Sequence, residues 1–192
     1  MSEWDSCKLG DYIDVLHGYP CKGECMTLEA GDDLPIVTTM GNFLYNGGFD
    51  FVTKVKRYTS DYPAEFKLSS GDMLVGMTCQ TADAQVLGIP GYIPNDGRTY
   101  IHNQRLGKII FKNDDLAPDF LYYLFLTSHF RTYMANTASG SKVKHTSPSK
   151  IKDYTFRTPP VSEQKKIGSV LRSIDYKIEI NRWLNDNLPL AA

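Results

Sequence analysis

An α+β architecture is predicted for this chain, a sheet-rich domain followed by one long helix, and three observations predict it. Residues 162–188 repeat apolar side chains at intervals of three and four with no interior proline. The residues before them hold several short apolar or β-branched runs separated by Gly- and Asn-rich turns, the pattern of a twisted, largely antiparallel sheet. A proline-opened apolar segment at Pro118 adds a helix between the strands and the terminal rod.

Taken in order, residues 4–16 predict a short strand or turn, and Gly18-Tyr19-Pro20 with the Cys21 to Cys25 piece forms a loop. Residues 34–39 are β-branched after an acidic turn and predict a strand. Residues 49–58, FDFVTKVKRY, alternate Phe49, Phe51, Thr53 and Val55 against Asp50, Val52, Lys54 and Lys56, which predicts one strand with a basic tip. Residues 73–77, 86–93, 99–103 and 107–111 are further strands, with Asn95-Asp96-Gly97 turning the chain back. Leu121, Leu124, Phe125 and Ser128 make the inner face of the helix that Pro118 opens, and Phe120, Tyr122 and Tyr123 belong to its core and rim. Residues 138–148 predict a small cationic loop and 151–156 a last strand.

The terminal helix begins after Pro159-Pro160, with Ser162 placed to cap free N–H groups and Glu163 at the positive end of the helix dipole. Its roughly 27 residues make a rod of about 40 Å. Ile167, Val170, Leu171, Ile174, Ile178, Leu184 and Leu188 form its apolar stripe, Lys177 interrupts the heptad, and Asn181 sits on the seam, where a polar residue specifies a partner in register. Such a rod either folds back on its own domain or docks against a second long helix.

The length suits one domain plus an appendage, and 42% apolar residues suffice for a packed core. A net charge of −1 conceals an asymmetry: residues 1–100 hold seven Lys/Arg and fourteen Asp/Glu, and residues 101–192 hold fourteen and eight. Between Lys142 and Arg172 lie eight basic and two acidic residues, a cluster that attracts polyanions through counterion release. The bland alternative is a solvated helix face and loop. No apolar run is long enough to cross a bilayer and no signal run opens the chain, which together predict a cytoplasmic protein with four reduced thiols.

The segment Pro159-Pro160-x-x-Glu163-Gln164, followed by Ile167, Leu171, Ile174, Asp175, Lys177, Ile178, Asn181, Asn185 and Leu188, resembles the conserved helix behind a target recognition domain in specificity subunits of type I restriction-modification systems. Trp4 with Leu9-Gly10-Asp11, Gly71-Asp72-Met73-Leu74, residues 102–105, residues 118–124 and Gly140-Ser141 resemble further family motifs in the family's order. The resemblance implies a DNA-reading domain over residues 1–157 and a spacer and dimerisation helix over 158–192. It also implies double-stranded DNA, methyltransferase subunits and, through them, restriction subunits as partners. Full specificity subunits carry two such domains and two helices. This chain therefore resembles either one half of a longer subunit or a half-length subunit that pairs with itself.

Residue type on predicted loop tips nominates Lys54, Lys56, Arg57, Lys142, Lys144 and His145 for phosphates and Tyr58 for a sugar or base. Thr78, Gln80, Gln104, Arg105 and Ser141 are nominated for base edges.

Enzyme readings find little support. Thr158-Pro159-Pro160-Val161 lacks the aromatic that an adenine methyltransferase loop stacks on a flipped base, and no Gly-rich turn for a methyl donor or P-loop is present. Asp50 with Glu65-Phe66-Lys67 is a poor two-metal nuclease pattern. Cys21 and Cys25 lack a second close pair for zinc, so no metal or cofactor is expected. Two rivals stay open: an adaptor that dimerises without binding DNA, and a Cys79/His102 hydrolase.

Overall fold

The computed structural model describes residues 4–29, 31, 33–53, 55–80 and 84–188, with only the backbone of Trp183, Asp186 and Asn187. Strand β1 (Asp5–Lys8) leads through a single helical turn, α1 (Leu9–Tyr12), into β2 (Ile13–His17). The edge strands and the second layer follow: β3 (Met26–Thr27), β4 (Ile36–Val37), β5 (Arg57–Tyr58) and β6 (Lys67–Leu68). Then come β7 (Met73–Gly76), β8 (Thr78–Cys79), β9 (Pro90–Tyr92), β10 (Tyr100–Ile101) and β11 (Leu106–Phe111). The helices α2 (Pro118–Leu126) and α3 (Ser128–Thr137), strand β12 (Lys144–His145), helix α4 (Pro148–Lys152), strand β13 (Thr155–Thr158) and helix α5 (Val161–Asn187) complete the chain.

Two sheets make the body. One runs β2-β11-β7-β9 and is antiparallel throughout; the other runs β3-β5-β4-β10-β6, with the β4 and β10 pair parallel. Strand β7 shows why its four residues are all apolar or glycine. Met73 and Val75 pack into the core beneath α2, α3 and α4, while Leu74, pointing the opposite way, packs with Leu106, Ile36 and Tyr100 in the core between the sheets. A chain of rings, Phe43, Phe49, Phe51 and Tyr100, with successive centroids 4.4, 4.9 and 4.7 Å apart, fills that second core. Strand β1 pairs with β13, so the first strand and the one that launches α5 lie side by side.

Several expectations need correction. Residues 49–58 do not form one strand. The Asp50 carboxylate accepts from the backbone N–H groups of Val52 and Thr53, taking donors that a ladder would use, and among the described residues pairing is limited to an isolated bridge of Phe49 with Phe43 and to the strand Arg57–Tyr58. Residues 151–156 are not one strand either: Ser147 caps α4, which Pro148 opens, and pairing resumes only at Thr155. Ser128 belongs to α3, a helix not anticipated and capped by the Thr127 side chain, and it is exposed rather than on an inner face. Ser162 does not cap α5. Pro160 occupies that position, and its carbonyl accepts from the N–H groups of Glu163 and Gln164.

Helix α5 is anchored over its first four turns. Gln164 is 1% exposed and fully bonded: its Oε1 accepts from the Ala117 N–H at 2.8 Å, and its Nε2 donates to Asp115 O, Thr158 Oγ1 and Pro159 O at 2.9–3.1 Å. Gly168 lies against α2 so closely that a Cβ there would sit 2.8 Å from the Asp119 Cβ. Arg172 lies over the rings of Tyr92 and Tyr122, and Tyr123 donates its hydroxyl to Asp175 at 2.7 Å. Further along, Ile178, Glu179 and Arg182 wall one side of an open cleft of about 820 Å3 opposite Leu44, Asn46 and Asn95. Among the described residues no helix is long and apolar enough to cross a membrane.

Candidate nucleic-acid interface

Strand β12 pairs antiparallel with β8, Lys144 opposite Cys79 and His145 opposite Thr78. The cationic segment is therefore no free loop. It turns at residues 139–145, where Ser139 and His145 exchange two backbone hydrogen bonds of 2.9 Å, and it holds Ser141, Lys142 and Lys144 on that turn. Ser141 and Lys142 are exposed and Lys144 is half-buried.

Four distant segments meet beside this turn. The Tyr19 N–H donates to His102 O, the Gln104 N–H to Tyr19 O, the Met77 N–H to Arg105 O and the Thr146 N–H to Met77 O, at 2.7–3.1 Å. Gly18 is required at this junction, since a Cβ there would meet the His102 and Asn103 carbonyl oxygens at 2.4 and 2.5 Å. The result is a cleft of about 400 Å3 lined by His17, Gly18, Met77, Thr78, Gln104, Arg105, His145 and Thr146. Inside it the Thr78 hydroxyl lies 3.2 Å from His145 Nδ1, which orients the imidazole, and His17 Nδ1 lies 3.5 Å from the Gln104 carbonyl.

Of the nominated residues, the fold brings Thr78, Gln104, Arg105 and His145 to one cleft and puts Ser141, Lys142 and Lys144 on the adjoining turn. Gln80 is exposed just after β8 and does not line it. Lys56 and Arg57 lie on the other sheet, and the Arg57 Nε donates to Gly31 O at 2.8 Å. Tyr58 must be withdrawn: it is 2% exposed, packed edge-on against Tyr19 and Tyr62, so its ring has no surface to offer a base or sugar. Lys54 lies outside the described residues. His17, Met77 and Thr146 escaped notice because two long-range pairings bring them to one place: β8 with β12 sets Thr146 beside Met77, and β2 with β11 sets His17 beside Gln104.

The hydrolase rival fails on access. Cys79 is 1% exposed in the main core, and the buried His102 donates from Nε2 to Leu106 O at 2.8 Å. Burial also pushes the Cys21 thiol up to about 11. Among the described residues no three His, Cys, Asp or Glu side chains gather as a metal site.

The family model of the type I restriction modification DNA specificity domain matches residues 1–190. The chain belongs to that family.

Two curated relatives, the specificity subunits of the type I restriction enzymes MjaVIII and MjaIX of Methanocaldococcus jannaschii, are 28% and 26% identical over 190 residues each. They align with 98% and 99% of this chain but 43% and 42% of their own length, so the chain spans less than half of those relatives. The solved S subunit from M. genitalium superposes with a TM-score of 0.61 at 18% identity, over 95% of this chain and 44% of that one. The HsdS subunit from Thermoanaerobacter tengcongensis gives 0.56 at 16% identity, over 96% and 40%. These structures share the α+β fold and its long terminal helix.

Proposed function

We propose that this chain is a non-catalytic DNA-reading unit of a type I specificity subunit, recognising one half of a bipartite site and docking methyltransferase subunits. One observation carries the reading: a cleft bearing Thr78, Gln104, Arg105 and His145 lies beside a turn bearing Lys142 and Lys144. Base-edge donors and acceptors next to phosphate-seeking charge are what duplex recognition requires. Phosphate contacts supply affinity and position the protein; the cleft supplies choice.

Helix α5 serves as spacer and docking rod. Among the described residues its last hydrogen bond to its own domain is at Asp175, which leaves about twelve residues, or roughly 18 Å, to set the distance to a second reader. That reader is a second half-subunit or a second copy, and the restriction subunits join through the methyltransferase. The unit works in the cytoplasm, where the DNA is.

The test is duplex binding as a function of salt, alone and with the methyltransferase subunits. Changing Lys142 and Lys144 together to Ala should weaken binding to all sequences alike and flatten the plot of log K against log salt by about 1.8, the value for two lost phosphate contacts. Wild-type protein that ignores duplex DNA at low salt, with and without methyltransferase, would leave the dimerising adaptor as the better reading.

A further inference from the structure

We infer that the cleft between His17, Met77, Arg105 and Thr146 reads a single G·C base pair through its groove edge, with His17 and Thr146 as specificity-determining side chains beside Arg105. This deepens the DNA-reading proposal and rests on it.

Three features of the cleft converge on a base edge. First, its framework is rigid: the four backbone hydrogen bonds that join residues 19, 77, 102, 104, 105 and 146 hold the lining side chains on one scaffold. A reader whose geometry is set before binding loses little order when the ligand arrives.

Second, the Thr146 hydroxyl is the one buried side-chain oxygen or nitrogen among the described residues that has no hydrogen-bond partner. Its own backbone N–H is tied to Met77 O, which fixes the main chain at the cleft wall. A desolvated hydroxyl left unpaired costs free energy, and a base edge that widens the cleft enough to reach it would recover that cost.

Third, the donors and acceptors are unlike one another. The Gln104 carbonyl can only accept, so the neutral tautomer that bonds to it across 3.5 Å is the one with the proton on His17 Nδ1, which leaves Nε2 as an acceptor toward a ligand. Arg105, exposed on the same cleft, offers only donors in a planar fork. Guanine presents two acceptors, O6 and N7, in the major groove, and its cytosine partner presents an amino donor. A donor fork with an acceptor beside it matches that pair. An A·T pair would set the fork against the adenine amino group. A phosphate would repel the bare nitrogen and would have no use for it.

The experiment is selection from a randomised duplex library followed by sequencing, using the full chain alone and with methyltransferase subunits, for wild type, R105A, H17F and T146V. T146V keeps the shape of the side chain, and melting curves check that each variant is folded. Wild type should enrich a motif containing a fixed G·C pair. R105A should relax that one position at least about tenfold, and T146V and H17F should relax the same position or its neighbour severalfold, with every other position unchanged. K142A, as a control, should lower recovery of all sequences without altering the motif. An unchanged motif in folded R105A and T146V, or a uniform loss of binding in them, would overturn the inference while leaving DNA reading intact. A wild type that enriches no motif would overturn both.

Discussion

His102 donates to the Leu106 carbonyl from a site 3% exposed, and burial lowers its pKa from 6.5 to about 4. Asp72 nearby favours the charged ring while Lys108 and His17 oppose it, and Asp72 is itself paired with Lys108 at 2.6 Å. Between pH 6.5 and 4 the unfolded chain takes up a proton that the folded chain refuses. Stability is therefore whole above pH 6.5, falls as pH drops through that window and levels off below it, a loss of at most about 3 kcal/mol. Urea midpoints at pH 7 and pH 5 should drop further for wild type than for H102Q; equal drops would assign the loss to another group. The residues of the cleft divide the same way. Gln104 and Arg105 announce themselves as polar side chains on a turn, whereas His17 and Thr146 look like any strand end and any loop hydroxyl until β2 pairs with β11 and β8 with β12.

At the scale of elements, Gln164 explains why α5 leaves the domain where it does. Its one amide satisfies the N–H at the start of α2 and three oxygens at the end of β13 and before α2, so it joins three elements at one buried point. Gln164→Leu preserves bulk but strands those partners, and should cost about 2–4 kcal/mol, read as a lower urea midpoint at unchanged slope. A loss under about 1 kcal/mol would mean that water replaces the amide. The terminal helix was readable from periodicity because a repeat over 27 residues is long enough to be distinctive. The strand expected over residues 49–58 failed where one Asp side chain competes locally for backbone donors, a contest that alternation does not register.

Over the whole molecule, the apolar stripe of α5 beyond Ile167, which packs on the main core, is left largely exposed by its own domain. Ile174 is 49% exposed, Ile178 42%, Leu184 44% and Leu188 62%, with Asn181 exposed between them. An isolated protein with such a stripe should self-associate with rising concentration. Replacing Ile174, Ile178 and Leu184 by Ser should abolish that association in sedimentation while leaving the melting temperature within a few degrees. A wild type that stays monomeric at every concentration would instead assign the stripe to a different chain. Ile180 at 38% and Tyr176 at 63% exposure widen the apolar surface beyond a single heptad seam, so the partner surface is broader than the sequence pattern suggests.

What the sequence alone disclosed was its class of elements and its family: periodicity and turn chemistry are local, and motif order survives in a linear string. The α+β outline, the long helix and the basic half followed from that. Only the folded molecule decided which side chains share a surface. Tyr58 went into a core, Thr78 and His145 came together from opposite halves of the chain, and Thr146 was left with an unpaired hydroxyl. The reason is physical: a binding cleft is made by contacts between segments far apart in sequence, and no local propensity encodes which of them will meet.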